Sequence, residues 1–499
     1  MFTESVPAYQ VVIPILPEIG LLLLLLLVLA IDLFSRPLRR RIVGIVAGVG
    51  AFLILIANLI AGFLTLNDPA FAEPVLGGML RYDMLALIFR TMVLLSGGLT
   101  CLISVDTPKV SRQGEYYAIL IAAMMGLSLM AAASDLIMAF VALETASISL
   151  YLLAGFLRDT PFSVEAGLKY YLFGAAISGL FLYGLSLLYG FGGTTDIYAL
   201  ARPLGELFTS GAAGAFGLIA ALLLVLVGFG FKVAAVPFHF WTPDVYQGAP
   251  TPITAFVSTA SKAASFALLV RVFDAVWPSE AAPYWVGLIA AMSAITMTLG
   301  NVVALVQHNF KRLIAYSSIA QAGYTLMGVV ALTRTDLGAA AVAFYMLMYV
   351  LTNILAFTVI IAVSNATGSD EIAALAGLSR RSPNLALAMV LALLSLGGVP
   401  PLAGFFGKFF LFAAAVDAGF VWLAIVGVLN AIVALYYYLT VIKVMYVDAS
   451  EDTRPITIAP ASAVTLWITG IGVLVMGTLA APWWNWALYA AQSLTAMVR

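Results

Sequence analysis

Apolar residues in this chain fall in long blocks separated by short polar connections. The block LLLLLLLVLA at 21–30 is apolar on every side, whereas a strand of a membrane barrel alternates polar and apolar positions over about ten residues. The blocks therefore predict helices, each needing ~20 residues to cross a hydrocarbon layer. Hydropathy places them near 11–33, 42–65, 83–104, 115–132, 135–157, 164–190, 213–246, 251–276, 284–306, 312–333, 337–363, 383–418, 420–446 and 458–481. The expected fold is all-α: a polytopic membrane protein of about 14 transmembrane helices. The seventh and twelfth blocks are too long for a straight crossing and contain proline, which cannot donate to the carbonyl four residues back and clashes with it. Both predict broken helices.

Composition narrows the class. Of 499 residues, 63% are hydrophobic and 9% charged, against roughly 25% charged in a soluble domain, which excludes a soluble enzyme. The 23 basic and 24 acidic residues give a net charge of -1, without the basic surplus that nucleic-acid binding requires. The lipid bilayer is an expected partner and nucleic acid is not. A single cysteine, Cys101, cannot make an internal disulfide, and no Cys/His cluster has the spacing of an iron–sulfur, haem or zinc site. The first residues, MFTESVPAYQ, carry Glu4 and no basic residue, so the first block reads as a retained span rather than a cleaved signal.

Charge also orients the chain. Arg36, Arg39, Arg40, Arg41, Lys109, Arg112, Arg158, Lys169, Lys311, Arg312, Arg380, Arg381, Lys443 and Arg454 fall in odd-numbered connections or at their span ends. The even connections and tails hold Arg81, Arg202, Arg334 and Arg499. The positive-inside tendency puts the odd connections in the cytoplasm and both termini on the opposite side. The tail APWWNWALYAAQSL, with three tryptophans, suits an interfacial anchor.

Charges inside spans cost several kcal/mol on insertion scales and are functional candidates for that reason. Glu144 sits about ten residues into the fifth span, in DLIMAFVALETASISLYLL. Lys232 lies deep in GLIAALLLVLVGFGFKVAAVPFHFW, just ahead of Pro237, which frees the carbonyl of Val233. His239 and Asp244 follow, and Pro243 is expected to free the carbonyl of His239. A water-accessible pocket should form there, since non-helical backbone survives in a membrane only when buried in protein or wetted. Lys262 lies midway along the eighth span among small residues, which favour close helix packing but do not explain a lysine. In LLSLGGVPPLAGFFGKFFLFAAAV, Pro400 and Pro401 free the carbonyls of Leu396 and Gly397, and Lys408 follows. Lys169 lies near the start of span six. Arg90, Arg271 with Asp274, and Lys443 read as interfacial or structural; Glu18 and Asp32 bracket span one. His308 could relay protons or cap a helix.

Spans four to eight and nine to thirteen each place the broken helix fourth of five, so the second group is inserted upside down, which predicts two inverted five-helix repeats. The domain division is a three-helix group at 1–112, repeats at 113–277 and 284–447, and the last span with the tail at 448–499. Desolvation favours the neutral form of an ionisable group and an opposite charge the ionised form, so these residues could exchange protons near neutral pH. Glu144, Lys232, Lys262, His239 and Lys408, joined by water, would make a proton relay.

The stretches KVAAVPFHFWTPDVYQGAPTPITAFVSTASKAASF (232–266), FKRLIAYSSIAQAGY (310–324) and GGVPPLAGFFGKF (397–409) closely resemble the antiporter-like subunits of respiratory complex I, most of all its N subunit. The resemblance implies that Glu144, Lys232, Lys262 and Lys408 form a proton-translocating axis, joined by Lys169 and His239. The related L subunit carries a lateral helix for which this chain has no room, and the M subunit typically has glutamate at the position of Lys408. Asn309 and Gln321 stand where some relatives carry Asp and His, so neither inherits a role. The implied function is proton translocation in the bacterial inner membrane, coupled to NADH oxidation and quinone reduction elsewhere in the complex. NADH, FMN, iron–sulfur clusters and quinone would belong to partner subunits, with no cofactor in this chain. Its implied neighbours are the M subunit and the small membrane subunits. Subunits of multisubunit cation/proton antiporters and of membrane-bound hydrogenases share these motifs and form the alternative reading. A membrane scaffold with buried polar contacts, or a free-standing solute transporter, are the readings from other classes.

Overall fold

The computed structural model describes residues 8–34, 41–65, 74–108, 110, 113–277, 279–450, 452 and 454–498. Glu4, Arg36, Arg39, Arg40, Lys109, Arg112 and Arg499 lie outside the described residues. The first eight main helices are α1 (Leu16–Phe34), α2 (Arg41–Thr65), α3 (Met84–Val105), α4 (Gly114–Ala132), α5 (Leu136–Ala154), α6 (Pro161–Gly192), α7 (Ala212–Val233) and α8 (Trp241–Gly248). Next come α9 (Thr251–Phe256), α10 (Lys262–Ala275), α11 (Ala282–Ala304), α12 (Phe310–Val330) and α13 (Leu337–Thr367). The last are α14 (Pro383–Gly397), α15 (Ala403–Asp417), α16 (Val421–Tyr446), α17 (Pro460–Thr478) and α18 (Ala480–Val498). Among the described residues thirteen helices are long and apolar enough to cross a membrane, counting the run from α9 through α10 as one. The short halves α14 and α15 account for the twelfth expected span. Among the described residues no strand forms, only isolated bridges.

Burial sorts the helices. α3, the α9–α10 run, α12 and α13 are enclosed almost completely, while α1 shows Leu22, Leu23, Leu26 and Leu27 to its surroundings and α16 shows Ile425, Leu429, Ile432 and Tyr436. A helix apolar all round needs either protein or lipid against every face, and the outer helices keep a face for lipid or a partner. The 31-residue α13 runs about 46 Å at the usual rise, and packs along α12, α15, α17 and α18.

The proline positions set the breaks. α7 ends at Val233, and Ala234 caps it in the left-handed region (φ 63°) while Ala235 N donates to Gly230 O at 2.8 Å. Pro243 behaves differently from expectation. It sits in the first turn of α8, where its missing N–H costs nothing, and the His239 carbonyl accepts from Thr242 N at 2.9 Å instead of standing free. Pro400 and Pro401 part α14 from α15, with Gly398 at φ 86° between them and the first half. Across that break a Cβ on Gly404 would fall on the backbone carbonyl of Ser395. Gly404→Ala is therefore expected to force the two halves apart and lower the amount of assembled protein in native electrophoresis; an undiminished level would contradict this packing.

Three further features were absent from the sequence reading. A π-turn spans Val257–Ser261, immediately before Lys262. Arg271 pairs with Asp83, at 2.7 and 3.0 Å from its two carboxylate oxygens, and not with Asp274 in its own helix. Arg90 and Glu18 form a second buried pair at 3.0 Å, so these two are structural and internal rather than interfacial. The tail is a helix as expected of an anchor, but it docks on protein: Ala487, Ala490, Ala491 and Leu494 are buried, and Trp484 stacks on Phe410 at 3.9 Å.

Candidate proton relay

Glu144 stands midway along α5, half-buried, and accepts from Ser178 Oγ of α6 at 2.6 Å. Three residues on, Ser147 Oγ accepts from Lys232 Nζ at 2.5 Å. Glu144 and Lys232 thus address one face of α5 without a direct ion pair among the described residues. Lys232 is in the last turn of α7, and the break after it is what ends the helix there.

An aromatic column continues from Lys232, whose Nζ lies 5.8 Å from the Tyr151 ring. Tyr151 meets Tyr170 edge-on at 4.7 Å, Tyr170 stacks on Trp241 at 4.4 Å, and Trp241 meets Tyr246 at 6.4 Å. The Tyr246 hydroxyl lies 3.0 Å from Ser318 Oγ. Lys262 Nζ donates to the same Ser318, at 2.6 Å to its carbonyl and 2.5 Å to its hydroxyl, and Tyr349 donates to that hydroxyl at 2.7 Å. A buried ammonium or amine needs such partners, because an unsatisfied polar group in the interior costs about 1–3 kcal/mol or more.

The network then passes along α12. Ser317 Oγ lies 2.5 Å from Tyr438 Oη; Gln321 Nε2 donates to Tyr438 Oη at 3.3 Å and to the Leu396 carbonyl at 3.2 Å; Tyr345 donates to Gln321 Oε1. The Gly397 carbonyl accepts from Lys408 Nζ at 3.1 Å. Leu396 and Gly397 are the two residues whose carbonyls the proline pair frees, so the break supplies the acceptors that seat Gln321 and Lys408. Lys408 Nζ also lies 4.7 Å from the Tyr324 ring. Serine and tyrosine hydroxyls donate and accept at once. Ser147 and Ser318, bonded to Lys232 and Lys262, can each exchange a proton with the amine they hold.

Glu144, Lys232, Lys262 and Lys408 each meet a polar partner in the interior: Ser178, Ser147, Ser318 and the Gly397 carbonyl. Lys169 stands apart: its Nζ lies 2.7 Å from Glu165 and 2.5 Å from Asp244, with a side chain 37% exposed. Asp244 reaches Arg312 at 2.9 Å with its other oxygen, closing a four-residue charge cluster at the ends of α6, α8 and α12. His239 follows the break, buried, with its ring 4.6 Å from Phe240 and Nδ1 without a hydrogen-bond partner among the described residues. His308 is exposed, and its carbonyl accepts from Ile372 N at 2.8 Å; the cap of α12 is Asn309, which accepts from Arg312 N. Among the described residues no group of three His, Cys, Asp or Glu side chains could hold a metal ion. In the loop before α17, Arg454 beside Asp452 holds that carboxyl well below the usual carboxylate range.

Sequence reasoning passed over Ser147, Ser178, Tyr151, Ser318, Tyr438 and Tyr324, and gave Gln321 no role. A signal existed for the α12 members, since Ser317, Gln321 and Tyr324 recur three or four residues apart and so share one face of the helix.

Residues 133–434 match the family described as NADH:quinone oxidoreductase/Mrp antiporter, TM. NADH-quinone oxidoreductase subunit N 2 of Chloroherpeton thalassium is 43% identical over 450 residues, covering 87% of this chain and 85% of that protein. A chain in the respiratory complex I of Thermus thermophilus with bound aureothin superimposes with a TM-score of 0.76 at 35% identity, over 93% of this chain and 97% of that one. A chain of the Mrp complex from Dietzia sp. DQ12-45-1b shares the fold, with a TM-score of 0.82 at 21% identity over 99% of this chain and all of that one. The fourteen-span order, the two proline breaks and these likenesses agree, and the chain belongs to the NADH:quinone oxidoreductase/Mrp antiporter transmembrane family.

Proposed function

We propose that this chain is a proton-translocating membrane subunit of NADH:quinone oxidoreductase, of the N type, and that Glu144, Lys232, Lys262 and Lys408 carry the protons. The observation that carries the reading is that three lysines are buried in the interior, each on a polar partner: Lys232 on Ser147, Lys262 on Ser318 and Lys408 on the Gly397 carbonyl. A proton arriving at one amine alters the charge felt by the next, so occupancy moves from one to the next without any redox centre in this chain. His239 stands beside the first break as a further exchange group, and Lys169 acts from the surface cluster, through Asp244, rather than from the interior.

The finer assignments belong to the same proposal. The odd-numbered connections face the cytoplasm and both termini face the other side of the bacterial inner membrane. The groups at 113–277 and 284–447 are the two inverted repeats, each contributing one broken helix. NADH, FMN, iron–sulfur clusters and quinone are held by partner subunits, and the M subunit and the small membrane subunits are the neighbours. The 43% identity to a subunit N, against 21% to the Mrp chain, favours complex I over a cation/proton antiporter.

Native electrophoresis of mildly solubilised membranes, stained for NADH dehydrogenase activity, tests the assignment. This chain is expected in the active band by mass spectrometry and should stay there through a second separation. Recovery only in another large assembly, with sodium-driven exchange independent of NADH, would replace this reading with the antiporter.

A further inference from the structure

One buried lysine is left over from the relay. Lys311, in the first turn of α12, is 3% exposed. Its Nζ donates to the Ala249 carbonyl at 3.0 Å and lies 3.8 Å from Asp370, whose side chain is 25% exposed and whose Oδ1 is buried without a hydrogen-bond partner among the described residues. We propose that Lys311, fed by Asp370, is the group through which protons from the cytoplasmic side reach Lys262. The proposal rests on the proton-translocation reading and its sidedness.

Three features support it. Ser318, the partner of Lys262, lies seven residues after Lys311, two turns or about 10 Å along the same face of α12. The segment from Tyr246 to Ala249 bridges that interval, with its Tyr246 hydroxyl on Ser318 and its Ala249 carbonyl on Lys311. Lys311 is also held loosely: one carbonyl bond leaves two of its N–H groups for exchange. The neighbouring cluster is the opposite case, since Lys169 faces two carboxylates at 2.5 and 2.7 Å and Arg312 takes the remaining Asp244 oxygen. Closed ion pairs of that kind hold their protons.

In this scheme the Asp370 carboxylate takes a proton from bulk water and gives it to the neutral Lys311 amine. The resulting ammonium releases a proton inward, along water beside Tyr246, to the Ser318 hydroxyl, which passes its own proton to the Lys262 amine. Each donor is returned to its starting form, and no co-reactant is needed. The charged groups around Lys311 are Asp370 and Glu371 after α13, His308 before α12, and Asp244, Arg312, Lys169 and Glu165 in the adjoining cluster.

The test uses the complete complex in native membranes, comparing Lys311→Arg, Lys311→Met and Asp370→Asn with the parent for NADH-driven proton pumping between about pH 6 and about pH 8. Arginine keeps the charge and can keep the Ala249 bond but does not give up its proton. Both Lys311 variants should pump near the parent level at the acid end and several-fold less at the alkaline end, where direct delivery from water is scarce. Asp370→Asn should shift the profile the same way by less. A parental pH profile in Lys311→Arg overturns the proposal, because a structural lysine is replaced by that charge. If neither Lys311 variant assembles, a parental profile in Asp370→Asn overturns it and a shifted one supports it. Lys232→Met, run in parallel, separates the two levels: normal pumping there removes the translocation reading itself, whereas loss there with a parental Lys311→Arg removes only the uptake route.

Discussion

Replacing Lys232 by methionine is expected to leave the complex assembled and to cut NADH-driven proton pumping by at least about tenfold, since positioned proton-transfer groups typically contribute 10²–10⁴. The side chain is 6% exposed and is held by Ser147, three residues from Glu144 on α5. Methionine keeps most of its length and its packing beside the rings of Tyr151 and Phe231 while removing the amine that binds the proton. Because no direct ion pair with Glu144 exists among the described residues, the substitution does not strand a charge against a bonded partner, and assembly should survive. Ser147→Ala, which keeps the amine but removes its acceptor, should give a smaller loss. Pumping and NADH:quinone reduction are to be measured on membranes with equal amounts of complex. Parental pumping in Lys232→Met would return these buried charges to a packing role.

The parts of this molecule legible in the sequence are those with a large local energy. Proline at 237, 400 and 401 removes helix donors wherever it stands, so both breaks could be placed to within a residue or two. Lys232, Lys262, Lys408 and Glu144 stood out because insertion penalises charge far more than any other feature of a span. Pro243 was misjudged because the same residue is harmless in a first turn, and nothing local said that a new helix starts at Trp241. The π-turn before Lys262 left no trace, since small residues fit α- and π-turns alike. The relay partners were missed for a different reason. Serine, tyrosine and glutamine cost little in a helix, and their pairings join residues 24 to 121 positions apart, a relation that no periodicity carries. Lys311 shows the converse: three residues from a surface histidine, it counts in sequence as one more orienting charge, and only the packing of α8 over α12 buries it.

The largest stability effect is expected at a pair outside the relay. Arg271 is fully buried, bonded to both oxygens of Asp83, to the Ala131 carbonyl and to Tyr198. Removing one partner of such a pair typically costs about 3–5 kcal/mol, because the other charge is left without compensation. The two single replacements should not be equal. Asp83 also caps α3, accepting from Ala86 N at 2.7 Å, so Arg271→Leu leaves the carboxylate one strong bond. Asp83→Leu strands the guanidinium and removes the cap as well, worth about 1 kcal/mol more. The double replacement, with no stranded charge, should recover much of the loss, since apolar groups often substitute for a buried pair at little net cost. Heating membranes in steps and scoring intact complex by native electrophoresis would order the three as Asp83→Leu lowest, Arg271→Leu next and the double variant highest. Equal sensitivity of the two single variants would mean that the cap contributes nothing, and a double variant no better than Asp83→Leu would mean that the pair is held for its bonds to Tyr198 and Ala131 rather than for charge.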